Sequence, residues 1–307
     1  MRIAVMGAGG VGGYFGGRLA QAGNEVAFIA RGRHLDGLRT KGLVIESSLG
    51  NATIKVRAVE RAEEAGTVDV VLFTVKLWDT ESAAEQIRPL VTRGALVIPL
   101  QNGVESIERI GAVLGPERVI GGAAYIFARI AEPGVIVHTG KPARLRFGAV
   151  RPAQRRAAEA FEAVCREAKI DVELSDDVVR VLWEKFVLLI GVSGTTALAR
   201  QPIGAIRADA DLRWLLEVAM RETWYLGRAR GVALADDFVA QQMAVVDGLA
   251  PEMKASMLGD LEAGAKLEAP WLAGGVARMS SEAGLEAPIN RAIYAALKPY
   301  CDGRASR

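Results

Sequence analysis

One cation stands at the head of a long apolar run: Lys185 in WEKFVLLIGVSGTTALA, the segment that opens at Trp183. An ammonium there is either a helix-end lysine whose stem lies on apolar surface while its head reaches water, or an acid that delivers a proton in a shielded place. The hexapeptide GAGGVG is the second stretch with chemical meaning. It sets Gly7, Gly9 and Gly12 in a GxGxxG pattern, filled in by Ala8, Gly10 and Val11, directly after the strand-like RIAVM. The first glycine permits a tight turn, the second lets backbone approach a pyrophosphate, and the third lets the next helix pack close to the strand. The N-terminus of that helix faces the phosphate charge. Residues 7–12 are therefore read as a dinucleotide site.

The next strand selects the dinucleotide. EVAFIARGRH ends with Arg31 and Arg33 and no acid. A carboxylate there would accept from ribose hydroxyls and repel a 2′-phosphate, whereas a guanidinium binds that phosphate with paired hydrogen bonds. Arg31 thus favours NADP(H) over NAD; as a solvated loop residue it would favour neither. Lys76 follows the apolar run VDVVLFTV, and Asn102 and Gly103 follow ALVIPLQ. Both positions fall on the carboxyl edge of a parallel sheet, where such folds bind ligands. Asn-Gly is also an ordinary turn.

These residues need a scaffold, and the hydrophobic pattern describes one. RIAVM, EVAFIA, VDVVLFTV and ALVIPL are apolar throughout and alternate with helical patterns, including one over Glu81–Leu90. That is the signature of a parallel sheet covered on both faces. GVIVHTGKPARLRFGAV reads as two strands around a Gly-Lys-Pro turn, an antiparallel hairpin closing that sheet. Beyond about Pro152 the strand signal nearly disappears and helical segments run to the C-terminus. The expected architecture is an α/β Rossmann-type N-terminal domain, residues 1–172, followed by an all-α substrate domain, residues 173–307, with the active site in the cleft between them.

Composition excludes several classes. The 307 residues are half hydrophobic and about a quarter charged, with a net charge of +2, a soluble globular profile. No aromatic-studded basic stripe argues for nucleic acid. Cys165 and Cys301 have no metal-ligand spacing, and His34 and His138 are the two histidines, so no metal site is expected and a reducing compartment is. No run of about 18 uncharged apolar residues marks a membrane span, and the N-terminus does not read as a signal peptide. A cytoplasmic protein with no nucleic-acid or membrane partner is expected. The helical half carries enough apolar residues for a homodimer, although helical domains also use such faces internally.

GAGGVG, VKLWDT, LQNGVES, WEKF, SMLGDL and KLEAPWLAGG, in this order along essentially the whole chain, resemble the ketopantoate reductases (2-dehydropantoate 2-reductases). The late motifs are specific, since Rossmann enzymes in general lack them. The resemblance implies NADPH-dependent reduction of ketopantoate to (R)-pantoate, a step toward pantothenate and coenzyme A. It puts the proton-donating lysine on Lys185 and the partner glutamate on Glu268. It puts the asparagine that touches cofactor and substrate on Asn102, the serine that holds the substrate carboxylate on Ser256, and cofactor contacts on the glycine loop, Arg31 and Lys76.

Two positions depart from the better-known members, which carry asparagines four and eight residues after the lysine. Here they are Leu189 and Ser193. On a helix that spacing puts both beside Lys185, so Ser193 is a candidate substrate contact and Leu189 an apolar wall. Pro270 and Ala273 replace a common acid and asparagine after Glu268. A second reading is therefore a reductase of another small 2-oxo acid, giving a D-2-hydroxy acid. A third, a non-catalytic NADP-binding sensor, would need neither Lys185 nor Glu268. Arg33, His34 and Trp78 are read as loop or packing residues.

Overall fold

Strand β1 (Arg2–Met6) turns Ile3 and Val5 to one face and Ala4 and Met6 to the other, and all four are buried. A strand apolar on both faces must be covered on both. The chain continues through α1 (Gly10–Gln21), β2 (Glu25–Ile29), α2 (Gly32–Lys41), β3 (Leu43–Ser47), β4 (Ala52–Ile54), β5 (Arg57–Val59), β6 (Val70–Phe73), α3 (Thr80–Val91), β7 (Leu96–Pro99) and α4 (Ser106–Leu114). It then forms β8 (Gly121–Glu132), β9 (Val135–Gly148), α5 (Arg155–Glu167), β10 (Asp171–Leu174) and α6 (Val178–Ala199). The computed structural model describes residues 1–303.

The first sheet has the order β5-β2-β1-β6-β7 and is parallel throughout. This is the Rossmann-type arrangement expected. On one face Ala4, Val71, Phe73 and Val97 pack with Ile87 and Leu90 of α3 and Ile110 of α4. On the other, Ile3, Val5, Leu72 and Ile98 pack with Phe15 and Leu19 of α1 and with Ile136, Leu145 and Phe147 of β9. Burying a side chain of this kind contributes about 1.5–3 kcal/mol, so these two clusters hold the sheet and the loops at its carboxyl edge in place.

The second sheet corrects the expected hairpin. Its order is β10-β9-β3-β4, with β8 antiparallel to β9. The hairpin turns at Pro133–Gly134, and Gly-Lys-Pro lies inside β9. There the register jumps from Ile126↔Ala143 to Phe127↔Thr139, so Gly140–Pro142 form a bulge. Gly140 has φ +79°, and Pro142 has no N–H for the ladder, which a bulge tolerates and a regular pair does not. The hairpin does not extend the parallel sheet; it builds a second one.

The chain divides into two compact units, Met1–Gln101 with Glu105–Val181, and Leu182 onward with Asn102–Val104. The first unit runs past the boundary expected at residue 172. The reason is β10, which pairs in parallel with β9 and so belongs to the second sheet.

The second unit is helical: most of α6, then α7 (Ile203–Ala208), α8 (Ala210–Ala229), α9 (Phe238–Asp247), α10 (Ser256–Ala263), α11 (Ala273–Glu282) and α12 (Pro288–Leu297). Helix α6 is long and apolar enough to cross a membrane by length and composition, yet 72% of its most apolar window is buried within the chain. It is the central helix of this unit. A Cβ on Gly191 would lie 2.4 Å from Met220 of α8, and one on Gly194 would lie 3.3 Å from Ile293 of α12. The glycines therefore permit close approach of both helices.

Helix α12 is held at its N-terminus by a carboxylate from another helix. Glu222 of α8 is buried and accepts from Ile289 N–H (2.8 Å), Asn290 N–H (2.9 Å) and Asn290 Nδ2 (2.8 Å). It satisfies the orphan donors of the first turn and opposes the helix dipole. Glu222→Ala is expected to lower unfolding stability by about 2–3 kcal/mol through loss of these bonds, read as a lower urea midpoint. A loss below about 0.5 kcal/mol would show that the carboxylate is not what anchors α12.

Candidate active site

Lys185 lies in the second turn of α6, partly buried. Its Nζ donates to Asn102 Oδ1 at 3.1 Å. An ammonium has only donors, so it fixes which end of the amide faces it and leaves Nδ2 as a donor for another group. Asn102 comes from the loop after β7, and residues 102–104 are grouped with the helical unit. Gly103, at φ +88°, supplies the left-handed turn that carries the chain through this excursion.

Glu268 is buried in the loop before α11, where its carbonyl accepts from Trp271 and Leu272 N–H at 3.0 and 3.1 Å. That backbone turn fixes the residue ahead of the helix. Its carboxylate acts on Lys185. Burial lowers the Lys185 ammonium from the ordinary 10.5 to about 8, and the charge of Glu268 works in the opposite direction. Desolvation outweighs the carboxylate. Lys185, Asn102 and Glu268 are thus brought together as one cluster.

Ser193 lies two turns further along α6 and is 1% exposed. Its Oγ has no hydrogen-bond partner among the described residues, whereas Thr195 and Thr196 donate to the Gly191 and Val192 carbonyls one turn back. Buried hydroxyls are normally paired, so Ser193 is a polar group awaiting one. Leu189 lies between it and Lys185 and is partly buried. Ser256 is the first residue of α10 and is exposed, and the N-cap position falls on Ala255.

Apart from Asn102, the cofactor candidates lie in the first unit. Gly7 has φ +95°, and a Cβ there would meet Val75 at 3.0 Å. A Cβ on Gly10 would lie 2.1 Å from the Ala128 carbonyl of β8, and one on Gly12 would lie 2.3 Å from the Gly7 carbonyl. A Cβ on Gly9 meets nothing within 4 Å, so its backbone faces open space. This is a cradle whose inner glycines are demanded by packing and whose middle glycine is left for a ligand. Ala8 is buried and Val11 packs against the core beneath. The loop fits a dinucleotide pyrophosphate.

Arg31 is the residue before α2, with its side chain 82% exposed and its guanidinium donating to Asp79 Oδ2 at 2.8 Å. The second strand carries no acid at its end, but the loop after β6 supplies one. Lys76, in that loop, is exposed, with Nζ 5.7 Å from the centre of the Trp78 ring. Two further residues support this edge of the sheet. Thr74 donates to the Gly7 carbonyl at 2.5 Å, and Gln101 Nε2 donates to the Val75 carbonyl at 2.9 Å and to Thr80 Oγ1 at 3.0 Å. Thr74 lies two residues before Lys76 and Gln101 directly before Asn102, and that proximity is the signal the sequence offers.

Both parts of the chain match models of one protein family. The family model "Ketopantoate reductase PanE/ApbA" matches residues 3–152, and "Ketopantoate reductase PanE/ApbA C terminal" matches residues 177–300. The chain is 30% identical over 300 residues to the uncharacterized oxidoreductase YkpB of Bacillus subtilis, covering 98% of this chain and 99% of that one. It is 29% identical to a 2-dehydropantoate 2-reductase of Mesorhizobium japonicum, covering 97% of each chain. The crystal structure of 2-dehydropantoate 2-reductase from Geobacter metallireducens superposes with a TM-score of 0.91 at 32% identity, over 97% of this chain and 99% of that one.

A lysine that donates a proton must carry one, so catalysis tracks its titration. The kcat/KM for reduction of a 2-oxo acid is expected to fall about tenfold per pH unit above about pH 8. Glu268→Gln should move that break to lower pH, because it removes the charge that holds the proton on. A flat profile to pH 10, or an upward shift in the variant, would remove Lys185 from the role.

Proposed function

The chain belongs to the ketopantoate reductase family of oxidoreductases, and from that premise we propose that it reduces ketopantoate to (R)-pantoate with NADPH, in pantothenate and coenzyme A biosynthesis. The observation that carries the reading is the Lys185–Asn102–Glu268 cluster. Bound nicotinamide would supply the hydride. The chain's own residues handle the charge that appears on the ketone oxygen. Lys185 stabilises it and delivers a proton, which in a positioned acid contributes about 10²–10⁴-fold. Because its proton is lost near pH 8, Lys185 stays about ten to one protonated at pH 7 and gives up the proton readily. Asn102 holds the ammonium through Oδ1 and keeps Nδ2 for the substrate or cofactor. Glu268 retains the proton on the lysine and faces a substrate hydroxyl, and Ser256 serves the carboxylate.

NADPH rather than NADH is proposed on Arg31, whose exposed guanidinium is free to turn to a 2′-phosphate from the Asp79 carboxylate, and on Lys76 in the same loop. The free thiols Cys165 and Cys301 support a cytoplasmic setting.

Leu189 favours a second reading on the same scaffold. It can neither donate nor accept, so it suits a 2-oxo acid with an apolar side chain, giving a D-2-hydroxy acid. Steady-state rates on ketopantoate beside branched and aromatic 2-oxo acids decide between the two. The first reading expects the highest kcat/KM on ketopantoate; a value tenfold or more below the best apolar acid would replace it with the second. Arg31→Ala should raise the KM for NADPH about tenfold and leave that for NADH within about twofold. Equal effects on both would mean that Arg31 does not read the 2′-phosphate.

A further inference from the structure

His34 lies in the first turn of α2, and its ring makes two directed contacts. Gly134 N–H donates to Nδ1 at 3.2 Å, and Nε2 lies 2.8 Å from the Ala8 carbonyl oxygen. An Nδ1 that accepts cannot carry a proton, so the ring is the neutral tautomer and its single N–H, on Nε2, donates to Ala8. Burial pushes the His34 pKa below its ordinary value, which keeps the ring in that neutral form.

The two partners belong to different layers of the fold. Ala8 is the second residue of GAGGVG, and Gly134 turns the β8–β9 hairpin with φ +85°. Helix α2 is pressed onto that turn: a Cβ on Gly37 would lie 2.6 Å from the Pro133 backbone. The Gly134 carbonyl in turn accepts from Val44 N–H of β3 at 2.9 Å. The imidazole is therefore seated against a rigid part of the second sheet and reaches from there to the glycine loop.

The consequence for the loop follows from peptide geometry. In a planar trans peptide the C=O and the following N–H point in opposite directions. Holding the Ala8 carbonyl toward His34 aims the Gly9 N–H away from it, and Gly9 is the position where a Cβ would meet nothing. The neighbouring carbonyls are also engaged, Gly7 by Thr74 Oγ1 at 2.5 Å and Gly9 by Gly13 N–H at 2.7 Å. With three consecutive carbonyls held, the donors of the loop are set before a ligand arrives, which spares the ordering cost on binding.

We propose that His34 is a positioning residue for the cofactor: its imidazole braces the Ala8 carbonyl so that the Gly9 N–H is presented to the pyrophosphate. This rests on the reading of GAGGVG as the dinucleotide loop. The test compares His34→Ala, His34→Gln and His34→Asn with the parent protein, using NADPH and 2′-AMP as ligands and fluorescence or calorimetry as readout. Glutamine can place an amide donor near the position of Nε2, whereas asparagine is too short to reach Ala8.

NADPH affinity is expected to fall about tenfold in His34→Ala and His34→Asn and less than about threefold in His34→Gln. The affinity for 2′-AMP, which has no pyrophosphate, stays the same in all three, and the loss appears in the KM for NADPH rather than in kcat. Unchanged NADPH affinity in a folded His34→Ala would overturn the proposal, as would equal weakening of NADPH and 2′-AMP. Should the alanine variant not fold, equal NADPH affinity in the glutamine and asparagine variants overturns it instead. A folded parent protein that takes up neither NADPH nor NADH would overturn the dinucleotide reading itself, and the proposal with it.

Discussion

Everything at the Lys185–Asn102–Glu268 cluster depends on keeping one ammonium half out of water. Desolvation costs a charged lysine far more than a neutral one, and only a nearby carboxylate and polar acceptors offset it. In this chain the two effects are unequal: burial dominates, and Glu268 recovers part of the difference. The outcome is a lysine that is charged at neutral pH but holds its proton weakly. A fully solvated lysine would keep the proton more firmly, and one buried without Glu268 would hold it more weakly still.

That balance explains features of the helical unit that look unrelated. Helix α6 is apolar around most of its circumference because it is enclosed by its neighbours, with Gly191 and Gly194 letting Met220 and Ile293 close on it. Asn102 is carried to the lysine by an excursion of the chain from the loop after β7, and Gly103 makes the required turn. Lys185, Asn102 and Glu268 therefore come from three separate stretches, each with its backbone fixed by local geometry.

Much of this was legible in the sequence. The glycine loop could be read because a glycine pattern after a strand is needed where backbone must pack closely: a Cβ would collide at Gly7, Gly10 and Gly12, whereas at Gly9 it would meet nothing. The parallel sheet could be read because its strands are apolar on both faces. The Gly-Lys-Pro segment was misread because turn residues also make bulges, and only the pairing partner tells the two apart. Strand β10 lies beyond Pro152, where the strand signal nearly disappears; its pairing with β9 settles its place. The Asp79 carboxylate beside Arg31 was hidden for a different reason: it arrives from another strand's loop. His34 looked like a packing residue, since nothing local reveals that its ring lies against Ala8. Ser193 was a suspected contact because of helical spacing, and its unpartnered hydroxyl is information that spacing does not contain.

The central claim is that Lys185 is an acid tuned by burial. Titrating the protein with ¹³C-labelled lysine side chains, and assigning the Lys185 resonance by its absence in Lys185→Met, reads that ionisation directly. The account predicts a midpoint near pH 8, well below the remaining lysines. A midpoint at or above 10, among the solvated lysines, would contradict it.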